Sequence, residues 1–246
     1  MKELKDIIWA YDDRRNIALP GNEKETLNFA VERWLVIAQK SIEMKGSFTC
    51  ALSGGSTPKS IYNELLKKND ALDWSKVKLY FSDERCVPLD HEESNFHMAW
   101  EAGFKHLVTR EQIFPMYQEG DPRMAGEVYN SLISAVVFDL VMLGLGDDGH
   151  VASLFPFTHA LQCNDRDAVA NFLPNKETWR ITLTFSAINR AFYKNIYVFG
   201  KKKASIVKEI FTHPYNPDQL PAQNIGSPEH KALWILDAQA AKMLGQ

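Results

Sequence analysis

Residues 146–150 read Gly-Asp-Asp-Gly-His. A histidine beside carboxylates suits general-base chemistry, because imidazole titrates near neutral pH and an acid can orient its ring. His150 is the candidate base acting on water, and Asp148 is its acidic neighbour, with glycines that allow a tight turn to present both, although taken alone the loop reads by default as a plain polar turn. A second stretch, Ser-Gly-Gly-Ser-Thr at 53–57, offers consecutive backbone N–H groups, hydroxyls and a following helix N-terminus. Gly54, Gly55, Ser56 and Thr57 are thus candidates for an anion nest, although an ordinary turn with a helix cap accounts for the same residues equally well. In Ser-Asp-Glu-Arg at 82–85, Arg85 has the geometry to clamp a phosphate while Asp83 orients a hydroxyl or a partner side chain. A solvated strand end is the plain alternative. Lys201, Lys202 and Lys203 open a helix where its macrodipole disfavours positive charge. A bound phosphate, solvent or Glu209 would relieve them.

Other chemistries fit poorly. Gly144, Gly146 and Gly149 have the spacing G-x-G-x-x-G after an apolar run, yet Asp147 and Asp148 would stand where a pyrophosphate must approach. Pro156 also leaves little room for the helix that should hold it. The 53–57 loop lacks the lysine of a P-loop. His150 and His159 are nine residues apart with no H-E-x-x-H or Cys/His cluster, so no metal site is expected. No G-x-S-x-G elbow offers a serine nucleophile.

The elements that must position these residues follow from hydrophobic spacing. Leu27, Val31, Trp34, Leu35, Ala38 and Ile42 predict an amphipathic helix, with Asn22 and Glu25 as a capping box and Gly46 as its end. Residues 47–53 predict a buried strand, followed by a helix from Pro58 to Lys68. Further strands are expected at 77–84, 138–146, 180–185, 195–200 and 231–237. Further helices are expected at 94–107 with Ser94 as cap, at 121–136, at 201–211 and at 238–244. This alternation implies an α/β fold: three layers, a mostly parallel sheet with helices on both faces. The three polar stretches lie just after strands, at the carboxyl edge where such sheets bind ligands. With no repeat or linker-like shift in composition, residues 1–246 are expected to form one domain.

The 28 basic and 31 acidic residues leave a formal charge of -3, which argues against a nucleic-acid surface, so any anion site must be local. Cys50, Cys86 and Cys163 are too few and scattered for a disulfide framework and read as reduced thiols. The amino-terminal stretch lacks the apolar core of a signal peptide, and no run is long enough to span a membrane. A cytoplasmic protein is expected.

The runs LSGGSTPKSIY, SDERCVPLDHEESNF, FDLVMLGLGDDGHVASLFP, RITLTFSAINRA, GKKKA and LWILDAQAA, in that order between about Ser47 and Ala241, resemble the 6-phosphogluconolactonases of the glucosamine-6-phosphate isomerase/6-phosphogluconolactonase family. The resemblance implies a domain like that of glucosamine-6-phosphate deaminase and hydrolysis of 6-phospho-D-glucono-1,5-lactone without metal or organic cofactor, by a monomer or weak homodimer. It assigns His150 as the base that activates water, Arg85 and Lys203 as phosphate ligands, Arg180 as a further site residue, and Asp83 as the acidic position of the D-E-R motif. Gly54 and Gly55 are candidate oxyanion donors. Phe157 stands where the family often has glycine, and the 175–179 segment lacks a proline. The related deaminases carry a glutamate in F-N-E-P, where this chain has Ser153, Leu154 and Phe155, none of which can do that acid/base work. A non-catalytic sugar-phosphate sensor is the other alternative, but the first 46 residues offer no basic recognition helix.

Overall fold

The computed structural model describes residues 7–245. Residues 1–6 and 246, the two ends of the expected domain, lie outside the described residues. The chain builds a seven-stranded sheet from β1 (Ile8–Ala10), β2 (Arg15–Ala18), β3 (Phe48–Leu52), β4 (Val77–Phe81), β6 (Leu140–Leu143), β9 (Tyr193–Val198) and β10 (Ala232–Leu236). The strand order is β1-β2-β10-β9-β6-β3-β4, parallel except for the β1–β2 pair. Every residue of β3, β6 and β10 is buried. Strands that bury both side-chain rows must have helices over both faces, as the expected three-layer α/β architecture requires.

Helix α1 (Glu23–Lys45) begins at the expected capping box and ends at Gly46, whose φ of 80° is the left-handed C-cap that glycine adopts without strain. Trp34 of α1 meets Phe48 edge-on at 5.0 Å and stacks on Trp74 at 5.6 Å. Helix α2 (Ser56–Leu66) starts two residues before Pro58, because Gly55 takes a φ of 100° and turns the chain directly into the helix. Helices α3 (Asn95–Glu101), α4 (Pro122–Ile133) and α6 (Ala204–Thr212) are shorter than the spacing suggests. Ser94 caps α3 as expected. The strand expected over 180–185 is β8 (Thr178–Leu183), and the unforeseen short helix α5 (Phe185–Arg190) follows it, sharing only Phe185 with the segment read as strand. Residues 238–244 form turns in place of the expected helix, with Asp237 accepting from the Ala240 N–H at their start.

A second sheet was not foreseen. Its order is β5-β8-β7, built from β5 (Asp83–Arg85), β7 (Ala168–Leu173) and β8 (Thr178–Leu183), all antiparallel. Residues 77–84 therefore do not make one strand. The chain changes sheets at buried Ser82, whose N–H donates to the Leu52 carbonyl at 2.7 Å in the large sheet while its own carbonyl accepts from Leu183 at 2.9 Å in the small one. Helix α4 covers this sheet closely: a Cβ at Gly126 would lie 2.8 Å from the Ala170 nitrogen.

Candidate active site

Parallel strands β3, β4, β6 and β9 end at one edge of the large sheet, and their loops enclose a cleft of about 330 Å³. Of the residues singled out by sequence, Gly54, Gly55, Asp83, Arg85, His150 and Lys203 line it. Ser56 and Thr57 lie in the first turn of α2, Asp148 stands behind His150, and Arg180 lies on β8; none of the four is part of the lining.

The turn after β6 fixes the histidine. His150 Nδ1 lies 2.5 Å from Asp148 Oδ1, and the His150 backbone N–H donates to the same oxygen at 3.2 Å. Burial acts to raise the Asp148 pKa, but the hydrogen bonds and charge of His150 outweigh it and hold the carboxyl below the usual value. An ionised Asp148 accepts the Nδ1 proton, which leaves the lone pair on Nε2. Gly146 is required because a Cβ there would collide with the imidazole, and Gly149 adopts a φ of 81°.

The cations come from two sheets. Lys203 follows β9 and donates to the Leu145 carbonyl at 2.7 Å and to Asp147 at 2.6 Å. The Asp147 side chain is 84% exposed, so this pair is a weak, readily exchanged one. The β9 loop is held by buried Asp237, which accepts from the Gly200 N–H at 3.0 Å. In the small sheet Arg85 and Arg180 stand opposite each other in register. Burial, followed by the like charge of Arg85, holds the Arg180 guanidinium below the usual arginine value. Arg85 donates to the Glu93 carbonyl at 2.5 Å, and among the described residues neither arginine has a carboxylate at ion-pair distance. Two adjacent guanidinium groups without a counter-charge concentrate positive charge on this side of the small sheet.

Asp83 is a buried anchor more than a free acid. Ser153 Oγ donates to its carboxylate at 2.7 Å, and Asn95 Nδ2 donates to its carbonyl at 2.8 Å. Asn95 also lines the cleft and packs so closely on Gly54 that no side chain fits there. Glu84 points the other way, to the start of α3, where its carboxylate accepts from the N–H groups of Arg85, Asn95 and Phe96 and from Ser94 Oγ. Burial pushes Glu84 up to about 7 against these bonds. Sequence reasoning missed the site roles of Asn95, Ser153 and Asp237. All three lie inside the quoted runs, but small polar residues give no signal until their partners are known. Cys86 is no nucleophile, since burial pushes its thiol up to about 12.

Together the fold and the cleft define a class: an α/β protein whose parallel-sheet edge holds a histidine–carboxylate pair beside an anion pocket. The family described as glucosamine-6-phosphate isomerases/6-phosphogluconolactonase matches residues 21–234. The chain belongs to this family. It is 35% identical over 236 residues to a 6-phosphogluconolactonase of Chlamydia trachomatis, covering 94% of this chain and 91% of the relative. It is 38% identical over 230 residues to one from Synechocystis, covering 87% and 93%. A solved 6-phosphogluconolactonase from Thermotoga maritima superposes with a TM-score of 0.80 at 30% identity, over 91% of this chain and 100% of that one. Among the described residues no helix is long and apolar enough to cross a membrane.

Proposed function

We propose that this protein hydrolyses 6-phospho-D-glucono-1,5-lactone to 6-phospho-D-gluconate by general-base activation of water, with no metal in the chemical step. The observation that carries the reading is the meeting, in one small cleft, of the oriented His150–Asp148 pair with Arg85 and Lys203.

The reaction needs little more. A lactone carbonyl is already electrophilic, so water attack requires a base for the leaving proton and donors for the developing oxyanion. Nε2 of His150 takes the proton from water as the C–O bond forms, and Asp148 stabilises the resulting imidazolium. The ring C–O bond then breaks, and the proton passes to the departing oxygen. Among the described residues the N–H groups of Gly54 and Gly55 donate to no protein acceptor, which leaves them available as oxyanion donors. Arg85 and Lys203 take the phosphate, with Arg180 beside them, and this remote anchor orients the ring against the held water. Lys203 exchanges Asp147 for the phosphate when substrate enters.

The test is proton release from freshly generated lactone in weak buffer, with and without protein, before and after chelator. Acceleration that survives chelation supports the reading. A rate equal to the uncatalysed background overturns it, and a rate abolished by chelator and restored by a metal ion overturns its metal-free part.

A further inference from the structure

Behind the candidate base lies a stack that the reaction scheme does not use. The Phe155 ring lies on the His150 ring with centroids 3.9 Å apart and planes 25° apart. On the same phenyl ring, the ammonium of Lys176 sits 4.7 Å from the centroid. Lys176 comes from the turn (Pro174–Lys176) that joins β7 to β8, the strand bearing Arg180. Phe155 and Lys176 do not line the catalytic cleft; with Asp148 they line a separate groove on its far side.

The chain accepts strain to make this contact. Residues 151–154 double back in a tight turn, with Val151 bridged to Leu154 and the Leu154 N–H donating to the Val151 carbonyl at 3.0 Å. Its corner is Ala152 with φ 49°, a left-handed conformation that is unfavourable for a non-glycine residue. The tip is pinned by Ser153, which donates to Asp83 through Oγ and to Thr182 Oγ1 through its N–H. What the turn achieves is to return Phe155 over the ring of the residue five positions before it.

Resting on the functional reading above, we propose that Phe155 is a positioning residue for His150, and that Lys176 holds Phe155 from the hairpin of the small sheet. Gly146 and Asp148 fix one side and one nitrogen of the imidazole. Without the phenyl face the ring keeps its bond to Asp148 but loses the packing that fixes its tilt, and Nε2 shifts off the line to the water. An offset aromatic stack holds a ring by its face, and an exposed cation over the phenyl ring adds a smaller hold.

Phe155→Leu should lower kcat by roughly 10–100-fold with KM little changed, the size of loss that a displaced catalytic group produces. Phe155→Tyr, which presents the same ring face, should keep kcat within about a factor of two. Lys176→Met, at an exposed site where folding is not at risk, should lower kcat about 2–5-fold, the equivalent of one exposed cation–π contact. Imidazole proton NMR reads the stack without activity: the His150 ring protons should be shifted upfield in the wild-type protein and lose that shift in Phe155→Leu. If the wild-type protein shows the shift but no lactonase activity, the functional reading fails. If it is active, and Phe155→Leu and Lys176→Met match it in kcat, or lose kcat and KM together without rescue by tyrosine, the positioning role is wrong.

Discussion

The two sheets make different contributions to one cleft. The large sheet is a buried scaffold: β3, β6 and β10 expose nothing, and the site residues it carries, Gly54, His150 and Lys203, stand in the loops beyond its strand ends. The small sheet carries its site residues within its strands, since Arg85 and Arg180 are partly exposed members of β5 and β8. A sheet buried on both faces can offer chemistry only at its ends. A half-buried antiparallel sheet can present cations from its open side. The proposed base, His150, thus belongs to the rigid scaffold and the arginines to the added ribbon.

This division is broken most directly by separating base from anchor. His150→Ala should lower kcat by roughly 100–10,000-fold, the usual worth of a positioned base, while binding of 6-phosphogluconate measured by calorimetry stays nearly unchanged. Loss of binding equal to the loss of rate would mean that the scaffold also holds the phosphate.

Each sheet also holds an ionisable group that burial shifts strongly, and the two should respond oppositely to pH. Glu84 of the small sheet is pushed up from 4.5 to about 7 by burial, so its contribution is present below pH 4.5 and is lost as pH rises through about 7. Among the described residues Lys194 of the large sheet donates only to the carbonyls of Ala191 and His230, and burial lowers it from 10.5 to about 8. Its contribution is present above pH 10.5 and is lost as pH falls through about 8. Each effect is up to about 3 kcal/mol. In denaturant titrations across pH, Glu84→Gln should flatten the acid-side slope and Lys194→Met the alkaline one. A variant that leaves its slope intact would show that the charge is satisfied in place.

Arg85→Ala should raise KM by roughly 10–100-fold with a smaller effect on kcat, matching the loss of a charge-assisted hydrogen bond of about 1.5–3 kcal/mol. The same defect in kcat as His150→Ala would erase the division between the sheets. The smallest effect is expected at Asp147→Asn, which frees Lys203 from an exposed ion pair worth at most about 1 kcal/mol. KM should fall a few-fold, and an unchanged KM would mean that Lys203 is not the cation that receives the phosphate.

The same contrast explains what could be read in advance. Strands β3, β4, β6, β9 and β10 of the large sheet and α1 were legible because their residues carry apolar runs or helical spacing, and the capping box at Asn22 and Glu25 is a local signal, whereas the short strands β1 and β2 were not foreseen. Nor was the second sheet. Asp83 and Glu84 read as the charged end of the strand at 77–84, and only the pairing of Ser82 with both Leu52 and Leu183 shows that the chain has changed sheets. Phe157, noted as standing where glycine is common, has φ 58°, so the local pattern did register a backbone demand.

By itself the sequence determined which residue types are available for chemistry, the glycines that let them sit at strand ends, and the alternation that makes a parallel sheet, because these depend on local geometry and on the period of burial. Only the tertiary structure decided that Asp83 is an anchor held by Ser153 and Asn95, that Lys203 rests on Asp147, that Arg85 and Arg180 face one another, and that Phe155 backs His150. Those pairings join residues up to about a hundred positions apart. Their free energies arise from desolvation and contact geometry, which no local spacing encodes.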